Sequence, residues 1–264
     1  MGKFFTVTVK PTMPVATQIQ SDKTDLPFAA ADILWDWHAF DIPKGGSLLR
    51  GVNLLIRGEN GAAQTNRDVY LIFAKANDDA STPISLGTGN AGVGTAATNG
   101  WQNNIIASCH FDALTGSTVT GTQLINMSMM SAGNSTGGNG NNIPPHQILE
   151  GTPDSGTNVG YDKIYVAGIA GASNTWDFAT GVIANGAVSA GAATDITVDG
   201  VDARLVFSVG DVIHIHDSDT AVGTISSIPD ATSIIIKSAN GVAIANNDEI
   251  VNASPLTLIL SLER

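Results

Sequence analysis

The densest group of metal-ligating residue types is His214-Ile215-His216-Asp217-Ser218-Asp219. On a β-strand, residues two apart share a face, so the imidazoles of His214 and His216 would project together. Asp217 at the strand end could then join them as a third ligand to a divalent ion such as zinc. The competing reading is a solvated strand face closing in an Asp-rich turn, with Ile213 and Ile215 toward the core. Trp35-Asp36-Trp37-His38 poses a similar choice. Two indoles on one face would make a platform for sugar rings. Alternatively one Trp fills a core and the other meets a partner subunit, where Trp is enriched. The second reading is favoured, and Trp35 and Trp37 join Phe4 and Phe5 as candidate interface residues.

Gly87-Thr88-Gly89-Asn90-Ala91-Gly92 satisfies the dinucleotide-binding fingerprint by letter. That motif works only between a strand and a helix whose N-terminus receives the pyrophosphate. The following VGTAATNG is a poor helix, so the segment is expected to be a loop and no cofactor is expected. Cys109 and His110 are adjacent, so on a strand they point to opposite faces and cannot form a nucleophile–base pair. No HExxH helix is present. Carboxylates are scattered through turns, and none of their spacings singles out a glycosidase pair. The residues predict a protein without catalytic function.

The elements that would carry these residues read as strands. Ile33 to Phe40, Gly51 to Arg57, Asp68 to Lys75, Trp101 to Asp112, Leu124 to Met130 and Asp162 to Ile169 are apolar or alternating runs bounded by Gly, Asn, Asp and Pro. Residues 183 to 252 change texture, with short strands roughly ten residues apart separated by Gly, Asp and Asn turns, as in a small closed barrel. Pro255 to Leu262 then resumes an apolar strand of the earlier kind. Residues 1 to 25, broken by Pro11 and Pro14, read as an extended arm with a short strand around Phe4, Val7 and Val9. Ser131 to Pro145 is Gly- and Asn-rich and reads as an exposed loop. The predicted fold is all-β: a jelly-roll-like sandwich over 26–182, completed by 253–264, with a small barrel inserted over 183–252. If the first 25 residues are an arm, deleting them leaves the fold intact.

Composition fits this picture and narrows the partners. Of 264 residues 43% are hydrophobic but only 14% charged, and Gly, Asn and Thr supply turns and pleated surface. The net charge is −12, from 24 acidic against 12 basic residues. Nucleic-acid binding needs clustered Lys and Arg to displace counterions from phosphates, and no such run exists. One cysteine excludes an intrachain disulfide, and Cys109 is expected to be a small buried thiol. No stretch has the length of a transmembrane helix, and MGKFFTVTVK lacks the apolar core of a signal peptide. Gly2 and Thr6 have the spacing of a myristoylation signal, but no polybasic patch or second lipid site supports it. Synthesis in a reducing cytosol and no membrane association are expected.

Residues 203 to 264 carry a resemblance. FSVGDVIHIHDSDTAVGTISSI, followed by DATSIIIKSANGVAIANNDEIVNASPLTLILSLER, resembles the C-terminal part of virion structural proteins of tailed bacteriophages, particularly phages of marine cyanobacteria. They show the same order: a GD-V-I strand, a Gly turn, a Thr/Ser/Ile strand, and A-N-x-D-E-I before the last strand. The resemblance covers about a quarter of the chain closely. It implies a particle constituent and supplies no catalytic residues. The N-terminal arm and the low charge add the expectation of a homotrimer on the exterior of the virion, binding the major capsid protein as a decoration protein. A tail or fibre component binding host glycans is the alternative.

Overall fold

The computed structural model describes residues 3–13, 25–42, 46–57, 68–75, 83–94, 104–111, 116–118, 124–128, 147–149, 152–153, 161–216 and 220–264. Almost all regular structure among them is β. The one helix is a single turn, α1 (Ala203–Val206), started by Asp202, whose carboxylate accepts the Arg204 N–H.

A six-stranded antiparallel sheet is built from β1 (Phe4–Val9), β4 (Ser47–Arg57), β7 (Gly116–Thr118), β8 (Leu124–Ser128), β9 (Gln147–Leu149) and β19 (Leu256–Glu263). Its order is β1-β19-β4-β8-β7, with β9 also on β4. The second sheet contains β3 (Ile33–Asp41), β5 (Val69–Lys75), β6 (Asn104–Phe111), β10 (Thr152–Pro153) and β11 (Tyr161–Ala170). β11 pairs with β3, β5 and β10, and β5 with β6. A short ladder joins β2 (Asp25–Phe28) to β12 (Asn174–Asp177).

Period-two patterning decides which side chains go inside. In β19 the burial alternates without a break, Leu256, Leu258, Leu260 and Leu262 facing in and Thr257, Ile259, Ser261 and Glu263 out. Each such leucine contributes about 2 kcal/mol of transfer free energy. These leucines share one core cluster with Val69, Leu71, Phe73, Cys109, Phe111, Ile164 and Val166, so the two sheets pack face to face. Phe40 and Phe73 meet edge-on in that core, centroids 6.3 Å apart at 81°.

The third sheet has its own core. It runs β13 (Val182–Ala184), β14 (Asp195–Gly200), β17 (Ser233–Ile236), β16 (Ala221–Asp230), β15 (Val212–Ile215) and β18 (Ile250–Asn252) in spatial order. The sheet curls until its edge strands meet, with a bridge between Ile183 and Glu249 and the Ala184 N–H donating to Asp248 O at 2.8 Å. Val182, Ile196, Val198, Ile213, Ile225, Ile234 and Ile250 fill the interior.

The first residues differ from the expected arm. Phe4 to Val9 pair in unbroken register with Glu263 to Leu258, Val9 and Met13 are buried, and the Met13 N–H donates to Ala253 O at 2.8 Å. Deleting this stretch would strip Phe5, Val7, Val9 and Met13 from the core, so the fold would not survive intact. Residues 14–24 and the predicted loop at 131–145 lie outside the described residues.

Candidate interaction surface

The outward half of the six-stranded sheet is almost free of charge. In its strands the only charged residues are Arg50, Arg57 and Glu263. Arg50 Nε donates to Glu263 Oε2 at 2.6 Å, so these two neutralise each other. Registers of three neighbouring pairs place Phe4, Glu263, Leu48 and Ile148 in one row across four strands. Phe4 is 74% and Ile148 72% exposed. Thr6, Thr8, Thr257, Ile259, Ser261 and Leu55 continue the face away from that row. Such a surface can be covered by another protein without stripping water from an isolated charge.

Of the expected interface residues, Phe4 lies on this face while Phe5 turns inward against the core. The two tryptophans part company. Trp35 is 2% exposed, and its Nε1 donates to Val166 O at 3.3 Å, so it is a core residue and cannot meet a partner. Trp37 lies half-buried on the opposite side of the five-stranded sheet, against Ile33, Ile72, Leu86 and Val93. Register explains the split. Ile33 faces Ile169, Trp35 faces Gly168 and His38 faces Val166, so β3 carries extra residues between these pairs. Each bulge resets which face the next side chain takes, which breaks the alternation read from the sequence.

Residues 83–94, including the Gly87–Gly92 motif, lie across this side of β3. Trp37 Nε1 donates to Ile84 O at 2.8 Å, the Leu86 N–H donates to Asp36 Oδ1 at 3.0 Å, and Asp32 bridges Gly92. His38, in the same strand, is partly desolvated, which holds its pKa below the ordinary 6.5. The folded state therefore favours neutral imidazole, and its contribution to stability is complete above pH 6.5 and is lost as the pH falls through the lowered value. Thermal melts between about pH 7 and 5 should show a shallower decline for His38→Gln than for the parent. Equal slopes would assign the acid sensitivity elsewhere.

His214 is buried on β15. The strand ends at Ile215, so His216 stands in the turn, where its N–H donates to Glu249 O at 2.9 Å. That bond continues the register that sets His214 opposite Val251, so the two histidines keep one face while Ile213 and Ile215 pack toward the curled core; Asp217, the third expected ligand, lies outside the described residues. Among the described residues no three His, Cys, Asp or Glu side chains gather as a metal site. Cys109 is buried in the core, and burial drives its thiol pKa far up, which holds the sulfur protonated.

Two polar groupings have no counterpart in the sequence reading. His110 Nε2 lies 2.5 Å from Asp68 Oδ1, and the His110 ring stacks on Tyr70 at 4.1 Å and 11°. The β5–β6 register sets Tyr70 opposite His110, and the partners lie too far apart in the chain for local spacing to reveal them. The other grouping joins the sandwich to the curled sheet. Asp211, 1% exposed, accepts from Lys10 Nζ at 2.7 Å, Asn252 Nδ2 at 3.0 Å and the Ser208 N–H at 2.8 Å. Arg57 Nη2 stands 3.8 Å from the same carboxylate. A small cleft beside it is lined by Arg57, Phe178, Thr180 and Pro255.

No helix among the described residues is long and apolar enough to cross a membrane. No protein-family model matches the chain, and neither a curated protein nor a solved structure matches it.

Proposed function

We propose that this chain is a non-enzymatic structural protein of a tailed-phage particle, carried on the particle exterior as a decoration protein that binds the outer face of the capsid shell. The reading takes its architecture as a jelly-roll-like sandwich with a small barrel inserted before the last strand. Strand order supports that architecture. The two packed sheets run β1-β19-β4-β8 and β3-β11-β5-β6, with the late strands β19 and β11 each set between or beside early ones as in double Greek keys. Jelly rolls of this kind recur in viral capsid and lectin domains. The likeness of residues 203–264 to phage virion proteins points the same way.

The observation that carries docking is the charge-poor outer sheet face, its Arg50 and Glu263 paired with each other, ending in exposed Phe4 and Ile148. Large exposed apolar residues set in a flat, charge-poor surface suit a permanent contact with a protein lattice. The test is occupancy on purified capsid shells of the same phage. Phe4→Asp combined with Ile148→Asp should lower shell affinity by at least about tenfold, because two apolar anchors are lost and two charges must be desolvated. Both side chains are exposed, so the melting temperature should hold. Full occupancy by the folded variant would remove this face as the anchor.

A glycan-binding tail role has one observation in its favour, the partly exposed Tyr70 stacked on His110 beside the Asp68 carboxylate. Aromatic rings with adjacent carboxylates hold sugars by stacking and hydrogen bonds. Reproducible binding on a glycan array, abolished by Tyr70→Ala in a folded variant, would move the assignment there.

A further inference from the structure

We infer that β1 is a self-association strand, through which two copies of this chain join their six-stranded sheets about a two-fold axis at Thr6. Among the described residues β1 is an edge strand, paired only with β19. Lys3 and Arg264 exchange both backbone hydrogen bonds, Lys3 N to Arg264 O at 3.1 Å and Arg264 N to Lys3 O at 3.0 Å. In an antiparallel ladder such hydrogen-bonded pairs alternate with pairs whose N–H and C=O groups point away. Phe5, Val7 and Val9 therefore bond inward to β19. Phe4, Thr6 and Thr8 present their N–H and C=O groups to the open edge.

That open edge is complementary to itself. Antiparallel pairing centred on Thr6 sets Thr6 against Thr6 of the second copy and Phe4 against Thr8 in both directions. All three outward residues then become hydrogen-bonded pairs. Natural edge strands block such contacts with an inward charge, a proline or a bulge. β1 has none of these: FFTVTV carries no charge and no proline, and its register with β19 has no shift. The nearest charges are Lys3 and Lys10, just outside the strand. Lys3 would face Val9 of the other copy, and Lys10 is held in its own chain by Asp211. No like charges meet, so the fitting occupant is a second copy of the strand. The contact is isologous and generates a dimer; it cannot by itself build the three-fold ring expected from the sequence. It also extends the outer face of one sheet into that of the other, independently of what that face binds.

Sedimentation velocity on the full chain tests this. The parent should sediment as a dimer at tens of micromolar. Thr6→Lys places two ammonium groups across the axis, and Thr6→Pro removes an N–H that bonds only at the open edge. Each should weaken the dimer at least about tenfold while the melting temperature stays near that of the parent. Thr257→Lys, on the same outer face but in β19 rather than at the edge, should remain dimeric. Thr6→Cys should form a disulfide-linked dimer under mild oxidation, since hydrogen-bonded antiparallel pairs hold Cα atoms about 5.5 Å apart, within disulfide reach. Thr8→Cys should not, because its counterpart lies across from Phe4, and the native Cys109 is buried. A monomeric parent would overturn the proposal. So would a dimer that survives both Thr6→Lys and Thr6→Pro, or one that Thr257→Lys dissolves while the Thr6 variants leave it intact. Should Thr6→Pro fail to fold, Thr6→Lys and the disulfide pattern decide the matter alone.

Discussion

Asp211→Ala is expected to cost about 3 kcal/mol of stability, near the low end of what breaking a buried ion pair removes. The carboxylate is 1% exposed and draws on both parts of the molecule: Lys10 as a donor and Arg57 as a nearby charge from the sandwich, Ser208 and Asn252 as donors from the curled sheet. Removing it strands the buried Asn252 amide and the Ser208 N–H without their acceptor. Lys10 and Arg57 keep partial access to water, at 22% and 28% side-chain exposure, which limits the loss. Urea denaturation would measure it. Adding Lys10→Met to Asp211→Leu should recover only the smaller share that belongs to Lys10, because the Asn252 amide and the Ser208 N–H still lack their acceptor. If Asp211→Ala melts like the parent, the junction does not hold the two parts together.

Gly168→Ala is the second large effect, with an expected loss of about 3 kcal/mol. Gly168 lies in the middle of β11, where β3 and β5 flank it. A Cβ there would fall 2.3 Å from Cη2 and Cζ3 of Trp35 and 2.5 Å from Cε3. The indole is buried and tied by Nε1 to Val166 O, so it cannot retreat without opening the core. Thermal unfolding followed by tryptophan fluorescence would show the shift. Adding Trp35→Leu to Gly168→Ala should return part of the stability, since the smaller side chain vacates the contested volume. Equal destabilisation with and without Trp35→Leu would place the clash elsewhere.

These two sites show what local patterning reveals and where it stops. Leu256 to Glu263 was readable because every second residue is leucine, and a strand buried on one face needs nothing more. The run Ile33 to Phe40 was readable as a strand but not in the direction of its side chains. Its bulges arise from pairing with β11, more than a hundred residues away, and they send Trp35 inward beneath Gly168 and Trp37 outward beneath residues 83–94. The Asp211 junction left no trace at all in the sequence reading. Asp211 sits in a Gly-Asp turn like many others in the chain, and its partners Lys10 and Arg57 come from the far ends of two strands of another sheet. The Asp68–His110 pair was hidden for the same reason, since only the β5–β6 register brings it together. That Phe4 stands at the surface is a finding of the structure, since Phe4 and Phe5 read alike in the sequence. That it shares a row with Ile148 depends on three successive strand registers.

The placement of β19 between β1 and β4 also sets a timetable for the ribosome. The strand that lies between β1 and β4 follows the entire curled sheet in the chain, so β1 and β4 emerge long before it. Until then each offers the nascent chain, or a neighbouring one, an unsatisfied edge. Closing such distant pairs is slow, and the open interval is when strand-edge aggregation competes. The curled sheet, whose strands are all local to one another, can finish first and deliver β19 to its slot. An isolated fragment ending before residue 256 is therefore expected to aggregate more readily than the full chain, because β1 and β4 both keep an unpaired edge.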